Sequence, residues 1–483
     1  MRILWLTLFW VSCASAADRF DGVRTLIRRQ LDGGATPSVA VAVAKDGKIV
    51  WEEGFGWADR EKRISASEHT PYSLASISKP ITATGLMVLV VAGRIDLDRP
   101  VNDYLGAAKL RGRAGDAAQA TVRRVANHSA GLPLHYHFFY SDEPHRRPPM
   151  DETIRRYANL ITPPGERFQY SNLGYGVLDY VIARVSGKSY PDFMREEVFA
   201  KLGLNRMSVD VAPGLEAHQA LRYGAGGPIP FYDFDHPGGS AIYSSAHDLV
   251  RFGMFHLKAR LPDQKAILPD QTIDDMHRPT VKTGERSGYG IGWASTENAG
   301  GYSVVSHTGG MGGVATTLQL VPPEKLAVVV LSNSAQSLPH TVAEEILAVM
   351  LPKWRRSRRE PPPPPPQFST PNELAGRWQG QLHTYKAEIP LSIEFLKSGE
   401  VRAQLGQQAA TQLENVRWRD GAFSARMTGD IGTEDAARRP YSLSLSLRLR
   451  GSVLNGGATA MSLPGKRAGN ALTQWVELRR DLP

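Results

Sequence analysis

The sequence predicts an α/β (α+β) fold followed by a smaller all-β domain. Strand-like runs lie at both ends of the large N-terminal part, with helices and loops between them, so one sheet is assembled from both ends. The proline run Pro361 to Pro366 favours an extended polyproline spacer after this part. Beyond the spacer, Ser442 to Leu449 alternates polar residues with leucine, which is typical of a half-buried strand.

The chain has 483 residues, a length that fits two or three domains. Arg2, the apolar run to Val11 and the small residues Ala14 and Ala16 indicate a secretory signal peptide, and therefore export to the periplasm or the medium. We expect four segments: a signal peptide at 1–16, a main domain at 17–352, a basic and proline-rich linker at 353–370, and a β-domain at 371–483.

Cys13 is the only cysteine, and it lies within the expected signal peptide. Lipidation of Cys13 is an alternative to cleavage after Ala16. If cleavage occurs, the mature chain has no disulfide, no thiolate metal ligand and no cysteine nucleophile.

The net charge of +9 comes partly from a short cluster before the proline run. We interpret this cluster as a solvated basic linker, with weak contact to an anionic envelope surface as the alternative, and we expect no nucleic-acid partner. The cluster consists of Lys353, Arg355, Arg356, Arg358 and Arg359.

Hydrophobic periodicity and turn residues give the individual elements. Asp46-Gly47 predicts a tight hairpin turn between the first two strands. Ser245 followed by Asp248 predicts a capped helix start. Helices are expected over Arg19–Gln30, Ser76–Val91 and Ala343–Met350, and strands over Val39–Ala44, Lys48–Trp57, Gly288–Trp293, Tyr302–Ser306, Ala315–Val321 and Leu326–Ser332; Leu374–Gly380 opens the β-domain.

Ser76 and Lys79 lie three residues apart at the start of an expected helix. That spacing places an amine beside a hydroxyl on one helix face, which is one way to activate a serine nucleophile. The motif is weak alone, because lysine and tyrosine are not bases near neutral pH without help. A lysine ammonium beside a tyrosine lowers the pKa of the tyrosine, and burial lowers the pKa of the lysine.

Two Tyr-x-Asn sequences compete for the tyrosine role. Tyr157 lies inside a short amphipathic helix, where a packing role is common. Tyr170 lies in a loop just before a helix, and catalytic groups concentrate on such loops. We favour Tyr170, with Asn172 two residues later.

A third element should be a strand edge with glycines that let a substrate approach the backbone. Lys282-Thr283-Gly284 lies in a polar loop, and Pro237 excludes the segment after His236 from a central ladder. The segment His307, Thr308, Gly309 and Gly310 follows an expected strand and is the best candidate.

These three elements, in this order, resemble the serine β-lactamase and penicillin-binding-protein-like family. The closest branch is that of class C β-lactamase-related serine hydrolases, which includes D-Ala-D-Ala carboxypeptidases, D-aminopeptidases and esterases. Asn127 to Pro133 and Gly288 to Trp293 extend the resemblance. It implies a mostly antiparallel sheet with flanking helices, an all-helical subdomain, and a small lipocalin-like barrel after the linker.

The resemblance also implies roles for the site residues. Ser76 would be acylated, and Lys79 and Tyr170 would share proton transfer. Asn172 would hold the acyl side of the substrate, and the backbone amides of Ser76 and Gly310 would form the oxyanion hole. His307 and Thr308 would line the leaving-group side, and Gly309 would also contact the substrate.

His307 stands where class C β-lactamases have lysine, and histidine is only partly protonated near neutrality. We therefore expect an exported hydrolase of small esters, amides or D-amino-acid peptides, with a small-molecule or peptidoglycan-like substrate and no cofactor. The alternatives are a true class C β-lactamase, or a non-catalytic envelope protein that binds peptidoglycan fragments or β-lactams.

His135 and His137, with Asp142 and His145 nearby, are a weak metal signal. Two histidines two positions apart share a face only on a strand, whereas the prolines around this segment favour a loop. We expect no metal there, and a substrate-pocket wall or ordinary loop packing instead.

Overall fold

A computed structural model describes residues 18–211, 215, 218–356 and 367–481. The expected signal peptide, Cys13 and the proline run Pro361 to Pro366 lie outside these residues. Within them, no helix is both long and apolar enough to cross a membrane.

The N-terminal part contains sixteen strands among the described residues, several of them only two or three residues long. They are β1 Ser38–Lys45, β2 Lys48–Asp59, β3 Ile64–Ser65, β4 Tyr72–Ser73, β5 Phe138–Tyr140, β6 Ser208–Val209, β7 Tyr223–Gly224, β8 Gly227–Pro228, β9 Tyr232–Phe234, β10 Ile242–Ser244, β11 Val281–Lys282, β12 Ser287–Tyr289, β13 Ala294–Ala299, β14 Tyr302–Met311, β15 Val314–Val321 and β16 Leu326–Ser332.

Ten α-helices accompany these strands in the described part of the chain. They are α1 Asp21–Asp32, α2 Ser78–Val91, α3 Val122–Ala126, α4 Met150–Tyr157, α5 Asn172–Ser186, α6 Tyr190–Met194, α7 Pro237–Ser240, α8 Ala246–His256, α9 Asp270–His277 and α10 Leu338–Met350. A single 3₁₀ turn, Ala75–Ile77, leads into α2.

The main sheet has nine antiparallel strands in the order β11-β12-β13-β14-β15-β16-β1-β2-β3. Its middle is built from both ends of the N-terminal part, as expected, because β1 pairs with β16. Helices cover both faces, so every residue from Ser38 to Ala44 is buried. Val39, Val41 and Val43 face the layer of α1 and α10, and the alternate alanines face the opposite helical layer.

The Asp46-Gly47 hairpin is confirmed. Asp46 has φ 51° and Gly47 has φ 79°, the positive values that a tight two-residue hairpin turn requires. The Ser245 cap is also present, because its hydroxyl accepts from the Asp248 amide at 3.1 Å.

Two expected strand boundaries were wrong. β14 does not stop at Ser306 but continues to Met311, because β15 pairs with it from Leu320 opposite Val305 to Val314 opposite Met311. The non-local ladder outweighs the low strand propensity of the glycines. In contrast, β12 ends at Tyr289, and the chain turns at Gly292 (φ 83°) before β13 begins.

The C-terminal part is an all-β, nearly closed barrel. Its strands are β17 Gly376–His383, β18 Glu388–Phe395, β19 Val401–Leu405, β20 Thr411–Gln412, β21 Glu414–Arg419, β22 Ala422–Met427, β23 Tyr441–Arg450, β24 Val453–Ser462 and β25 Ala471–Arg480; between residues 367 and 481 they are joined by one short helix, α11 Glu434–Ala437. The sheet order is β20-β19-β18-β17-β25-β24-β23-β22-β21. The two edge strands, β20 and β21, are consecutive in the chain and are separated only by Leu413, so the two edges of the sheet lie close together.

The barrel packs against the helical region of the N-terminal part. Tyr136 forms an antiparallel bridge with Ala471 at the start of β25. Arg156 on α4 contacts the buried Asp435 at 2.7 Å, and Tyr157 donates to the same carboxylate at 2.5 Å. The barrel therefore contacts the segments that flank the predicted site.

Candidate active site

Ser76 lies on the 3₁₀ turn that leads into α2. The α-helix that was expected to begin at Ser76 begins two residues later, at Ser78. The preceding residue, Ala75, has φ 49°, a strained conformation for a residue with a side chain. Ser76 is 9% exposed, and its Oγ lies 3.2 Å from the Nζ of Lys79. The turn thus holds the hydroxyl at a small opening above the buried amine.

The Lys79 side chain is fully buried, and its Nζ has three close neighbours. It donates to the Asn172 amide oxygen at 2.7 Å and to the Gly239 carbonyl at 2.9 Å; the third neighbour is the Ser76 hydroxyl. Burial holds the pKa of Lys79 well below its ordinary value. A neutral amine is therefore favoured at this position.

Tyr170 immediately precedes the Ser171 cap of α5 and is partly buried. The Lys79 Nζ lies 4.8 Å from the centre of its ring, and its hydroxyl interacts with Ser76. Burial raises the pKa of Tyr170, although the interaction with Ser76 acts in the opposite direction. The phenolate that the lysine–tyrosine pairing suggested is thus disfavoured. Tyr157, the competing tyrosine, instead donates to Asp435 at the barrel contact.

His128 holds the Tyr170 segment from behind. Its backbone carbonyl accepts from the Gln169 amide at 2.7 Å, and its Nδ1 accepts from the Ser171 amide at 3.2 Å. The imidazole centre lies 4.4 Å from the Tyr170 ring. Burial lowers the pKa of His128 well below its usual value, and charges on Lys79 and His307 act in the same direction.

The segment of β14 from His307 to Gly310 lies beside the Ser76 turn. His307 is buried; its Nδ1 lies 2.8 Å from the Thr308 carbonyl and its Nε2 lies 3.0 Å from the Tyr289 hydroxyl. A carbonyl only accepts, so Nδ1 carries the hydrogen and Tyr289 donates to Nε2. Burial, and then a charge on Lys79, lower the pKa of His307 to about 3. This imidazole is neutral near pH 7, rather than partly protonated as expected.

Glycine at position 309 is required by the packing of β14 against the Ser76 turn. A Cβ at Gly309 would lie 2.1 Å from the Leu74 carbonyl oxygen and 2.3 Å from the Thr316 Oγ1. Gly310 and Thr308 are exposed, and a Cβ at Gly310 would meet no atom within 4 Å. The strand therefore touches the turn at Gly309 and leaves Gly310 open.

The rejected candidates have other contacts. Lys282 is exposed on the edge strand β11, three strands away from β14. His236 is buried and its Nδ1 contacts Asp235 at 2.8 Å. Glu166, four residues before Tyr170, pairs with Arg450 of the barrel at 2.9 Å.

The expected loop at His135 and His137 is instead extended, because Tyr136 pairs with Ala471 of the barrel. The two histidines therefore share a face, and both contact the buried Asp235. Ligand atoms of His135, His137 and Asp235 all lie within 4.8 Å of one another. Asp142 lies apart from this cluster and pairs with Arg467.

Several groups around Lys79 had no role predicted from the sequence. His128 and Tyr289 were within the motifs that carried the family resemblance, but their contacts were not predictable. The Gly239 carbonyl and Asp235 carried no signal, since a backbone acceptor and a distant carboxylate leave no local pattern. The site that forms is Ser76, Lys79, Tyr170 and Asn172 on the helical side, with His307 to Gly310 on the sheet side.

A family model described as Beta-lactamase matches residues 23–349. An unguisins hydrolase from Aspergillus campestris is 27% identical over 333 residues, which are 65% of this chain and 61% of that protein. The chain thus spans less than two thirds of the length of this relative.

Two solved structures show the same fold. A class C β-lactamase has a TM-score of 0.60 and 21% identity, covering 70% of this chain and 98% of its own. SurE, solved with D-Leu, has a TM-score of 0.61 and 20% identity, and covers 96% of this chain and 100% of its own. Since the family model spans most of the sequence and the fold agrees, the chain belongs to the beta-lactamase family of hydrolases.

Proposed function

We propose that this hydrolase acts through an acyl-enzyme on Ser76, with neutral Lys79 as the general base. The arrangement around Lys79 carries the proposal. A neutral amine has two N–H bonds and one lone pair. Two of its three neighbours, the Asn172 amide oxygen and the Gly239 carbonyl, can only accept hydrogen bonds. When both N–H bonds point to them, the lone pair faces the Ser76 hydroxyl at 3.2 Å.

In the first step the Ser76 oxygen attacks the substrate carbonyl carbon while its proton moves to Lys79. The backbone amides of Ser76 and Gly310 are proposed to stabilise the oxyanion that develops. The Tyr170 hydroxyl then donates its proton to the departing leaving group. Tyr170 is reprotonated by the Lys79 ammonium, which returns to the neutral amine. Its raised pKa keeps Tyr170 protonated and supports this donor role. Water then attacks the carbonyl carbon of the acyl-enzyme, the ester bond to Ser76 breaks, and the proton lost by the water returns to the Ser76 oxygen as the acid product leaves.

Asn172 contacts the Lys79 amine directly, whereas the family resemblance implied only a contact with the acyl side of the substrate. Its side chain is fully buried, and its two polar ends contact Lys79 and the His135 carbonyl. We therefore assign it to orienting the amine in addition to any contact with the acyl side of the substrate.

We propose small esters, amides and D-amino-acid peptides as substrates, ahead of β-lactams. A neutral His307 offers no fixed positive charge to the carboxylate of a β-lactam, which supports this order. The solved structure of SurE with D-Leu is consistent with D-amino-acid substrates, and the name of the Aspergillus relative is consistent with a hydrolase. Export is part of this proposal and rests on the N-terminal sequence, whereas a peptidoglycan-like substrate rests on the family resemblance.

A fluorophosphonate probe tests the nucleophile. We expect an adduct of one probe per chain on the wild type and none on Ser76→Ala. An equally strong adduct on Ser76→Ala would refute the assignment. No adduct and no turnover on the wild type would favour a binding protein instead.

The substrate order is tested on one preparation with p-nitrophenyl esters, D-Ala-D-Ala peptides and nitrocefin. We expect turnover of an ester or a D-peptide to exceed that of nitrocefin in kcat/KM. Efficient nitrocefin turnover would reverse the order and favour a true β-lactamase.

A further inference from the structure

Asp235 lies at the centre of a buried polar cluster next to the site. Its carboxylate is fully buried between β9 and α7. The Nε2 of His135 lies 2.9 Å from Oδ2, the Nδ1 of His236 lies 2.8 Å from Oδ1, and the Nδ1 of His137 lies 3.2 Å from Oδ2. Thr153 donates to Oδ2 at 3.1 Å.

These four donors account for the carboxylate. Each oxygen of an ionised carboxylate offers about two lone-pair sites. The Nε2 of His135 also lies 3.0 Å from Oδ1, so His135 and His236 can occupy Oδ1 while His137 and Thr153 occupy Oδ2. Burial acts to raise the pKa of Asp235, but the charge and hydrogen bond of His135 and the hydrogen bonds of His137 and His236 outweigh it, so that the pKa lies well below its ordinary value. Hydrogen bonding is therefore sufficient to explain the cluster, although its spacing would also admit a metal ion.

The cluster is linked to both acceptors of the Lys79 amine. The Asn172 Nδ2 donates to the His135 carbonyl at 2.8 Å. Because a carbonyl cannot donate, this contact fixes the amide so that the Asn172 oxygen faces Lys79. The second acceptor, the Gly239 carbonyl, lies on α7 three residues after His236.

We propose that Asp235 is a positioning residue for the Lys79 base. By holding His135 and His236, its carboxylate fixes the Asn172 amide and the Gly239 carbonyl, and these turn the lone pair of the amine toward Ser76. This inference rests on the proposed role of Lys79. It gives a function to the histidines that the sequence singled out and the acyl-transfer steps did not use.

The test compares Asp235→Asn with Thr153→Val. Asp235→Asn replaces one of the two acceptor oxygens with an NH₂ donor, so the side chain can no longer accept from His135 and His236 as well as from His137 and Thr153. Thr153→Val removes only one donor and leaves both acceptor oxygens in place. Both variants keep nearly the same side-chain shape. Fluorophosphonate labelling is followed over time to separate kinact, which reports activation of Ser76, from KI, which reports probe binding. Thermal unfolding of each variant is measured alongside.

We expect Asp235→Asn to lower kinact about 10- to 100-fold with KI within about two-fold, because small misplacements of a base are costly. Thr153→Val should keep most of kinact at a similar loss of thermal stability. The inference is overturned if Asp235→Asn retains kinact, or if both variants lose kinact in proportion to stability.

A second pair keeps the test decisive if Asp235→Asn does not fold. His135→Gln places an amide N–H near the position of Nε2 and should retain most of kinact, whereas His135→Leu lacks the donor and should lose it. Equal rates for the two variants would overturn the inference.

Two further measurements separate the remaining explanations. Metal analysis of the wild type is expected to show less than one metal ion per chain. One bound ion per chain that is lost in Asp235→Asn would show that the cluster is a metal site and would overturn the hydrogen-bonding explanation. Labelling of Ser76→Ala distinguishes a failure of the proposed function from a failure of the positioning role of Asp235. An adduct that persists there refutes the proposed function, whereas its loss combined with full reactivity of Asp235→Asn refutes only the positioning role.

Discussion

Gly309→Ala tests whether the close contact between β14 and the Ser76 turn is needed for both the stability of the protein and the reactivity of Ser76. The added methyl group would lie 2.1 Å from the Leu74 carbonyl oxygen, whereas ordinary contact begins at 3.4 Å. One side must therefore move by about 1.3 Å. The methyl would also meet Thr316 Oγ1, which donates to the same carbonyl at 2.9 Å. Because Leu74 lies two residues before Ser76, movement of this carbonyl displaces the nucleophile.

We expect Gly309→Ala to lose about 1–3 kcal/mol of unfolding free energy, the usual cost of overpacking. A displacement near 1 Å should lower fluorophosphonate labelling roughly 100-fold. Denaturant unfolding and labelling kinetics measure the two effects. Gly310→Ala is the stability control, since its methyl meets no atom within 4 Å. Unchanged stability and labelling in Gly309→Ala would refute the proposed contact between strand and turn.

Three other predictions follow from the site and the domain contact. Tyr170→Phe should lower kinact about 10- to 100-fold, whereas Tyr157→Phe should not; equal rates would remove the proton-transfer role. The labelling rate should rise with pH through the lowered pKa of Lys79 and be lost below it, because only the neutral amine is a base; a rate that rises only near pH 10.5 would contradict this. Asp435→Ala should cost about 1–3 kcal/mol, because Tyr157 and Arg156 lose a buried acceptor although Arg156 still pairs with Glu152, while the exposed Glu434→Ala should change stability little.

The stabilisation by Asp435 should also depend on pH. Burial acts to raise the pKa of Asp435, but the hydrogen bond from Tyr157, the charge of His137 and the contacts with Arg156 outweigh it, so the folded pKa is lowered. A carboxylate with a lowered folded pKa stabilises the protein above its unfolded pKa, and this contribution is lost as the pH falls through the folded value. The stability difference between wild type and Asp435→Ala should therefore shrink in acid.

Local patterns were sufficient to predict the parts of the molecule that local interactions determine. The hairpin at Asp46-Gly47, the Ser245 cap and the alternating strand near Ser442 each follow from a few neighbouring residues. The same holds for Ser76 and Lys79, whose proximity follows from helical spacing once their segment is helical.

Non-local contacts were not predictable from these patterns. β14 continues past Ser306 only because β15 pairs with it, and His135 lies in an extended segment only because the barrel pairs with Tyr136. Asp235 lies 100 positions from His135 in sequence, so no spacing connects them. The direction of the Tyr170 pKa shift was also missed, since it depends on burial rather than on the neighbouring lysine.

The charge of Lys79 is the most direct test of the proposal that neutral Lys79 is the base that activates Ser76. NMR of protein labelled with [ε-¹³C]lysine follows the titration of each amine, and Lys79→Arg identifies the signal of Lys79. We expect one lysine that is neutral at pH 7–8 and titrates well below 10.5, with its signal absent in the variant. If every lysine, including Lys79, stays charged up to about pH 10, Lys79 cannot be the base that activates Ser76.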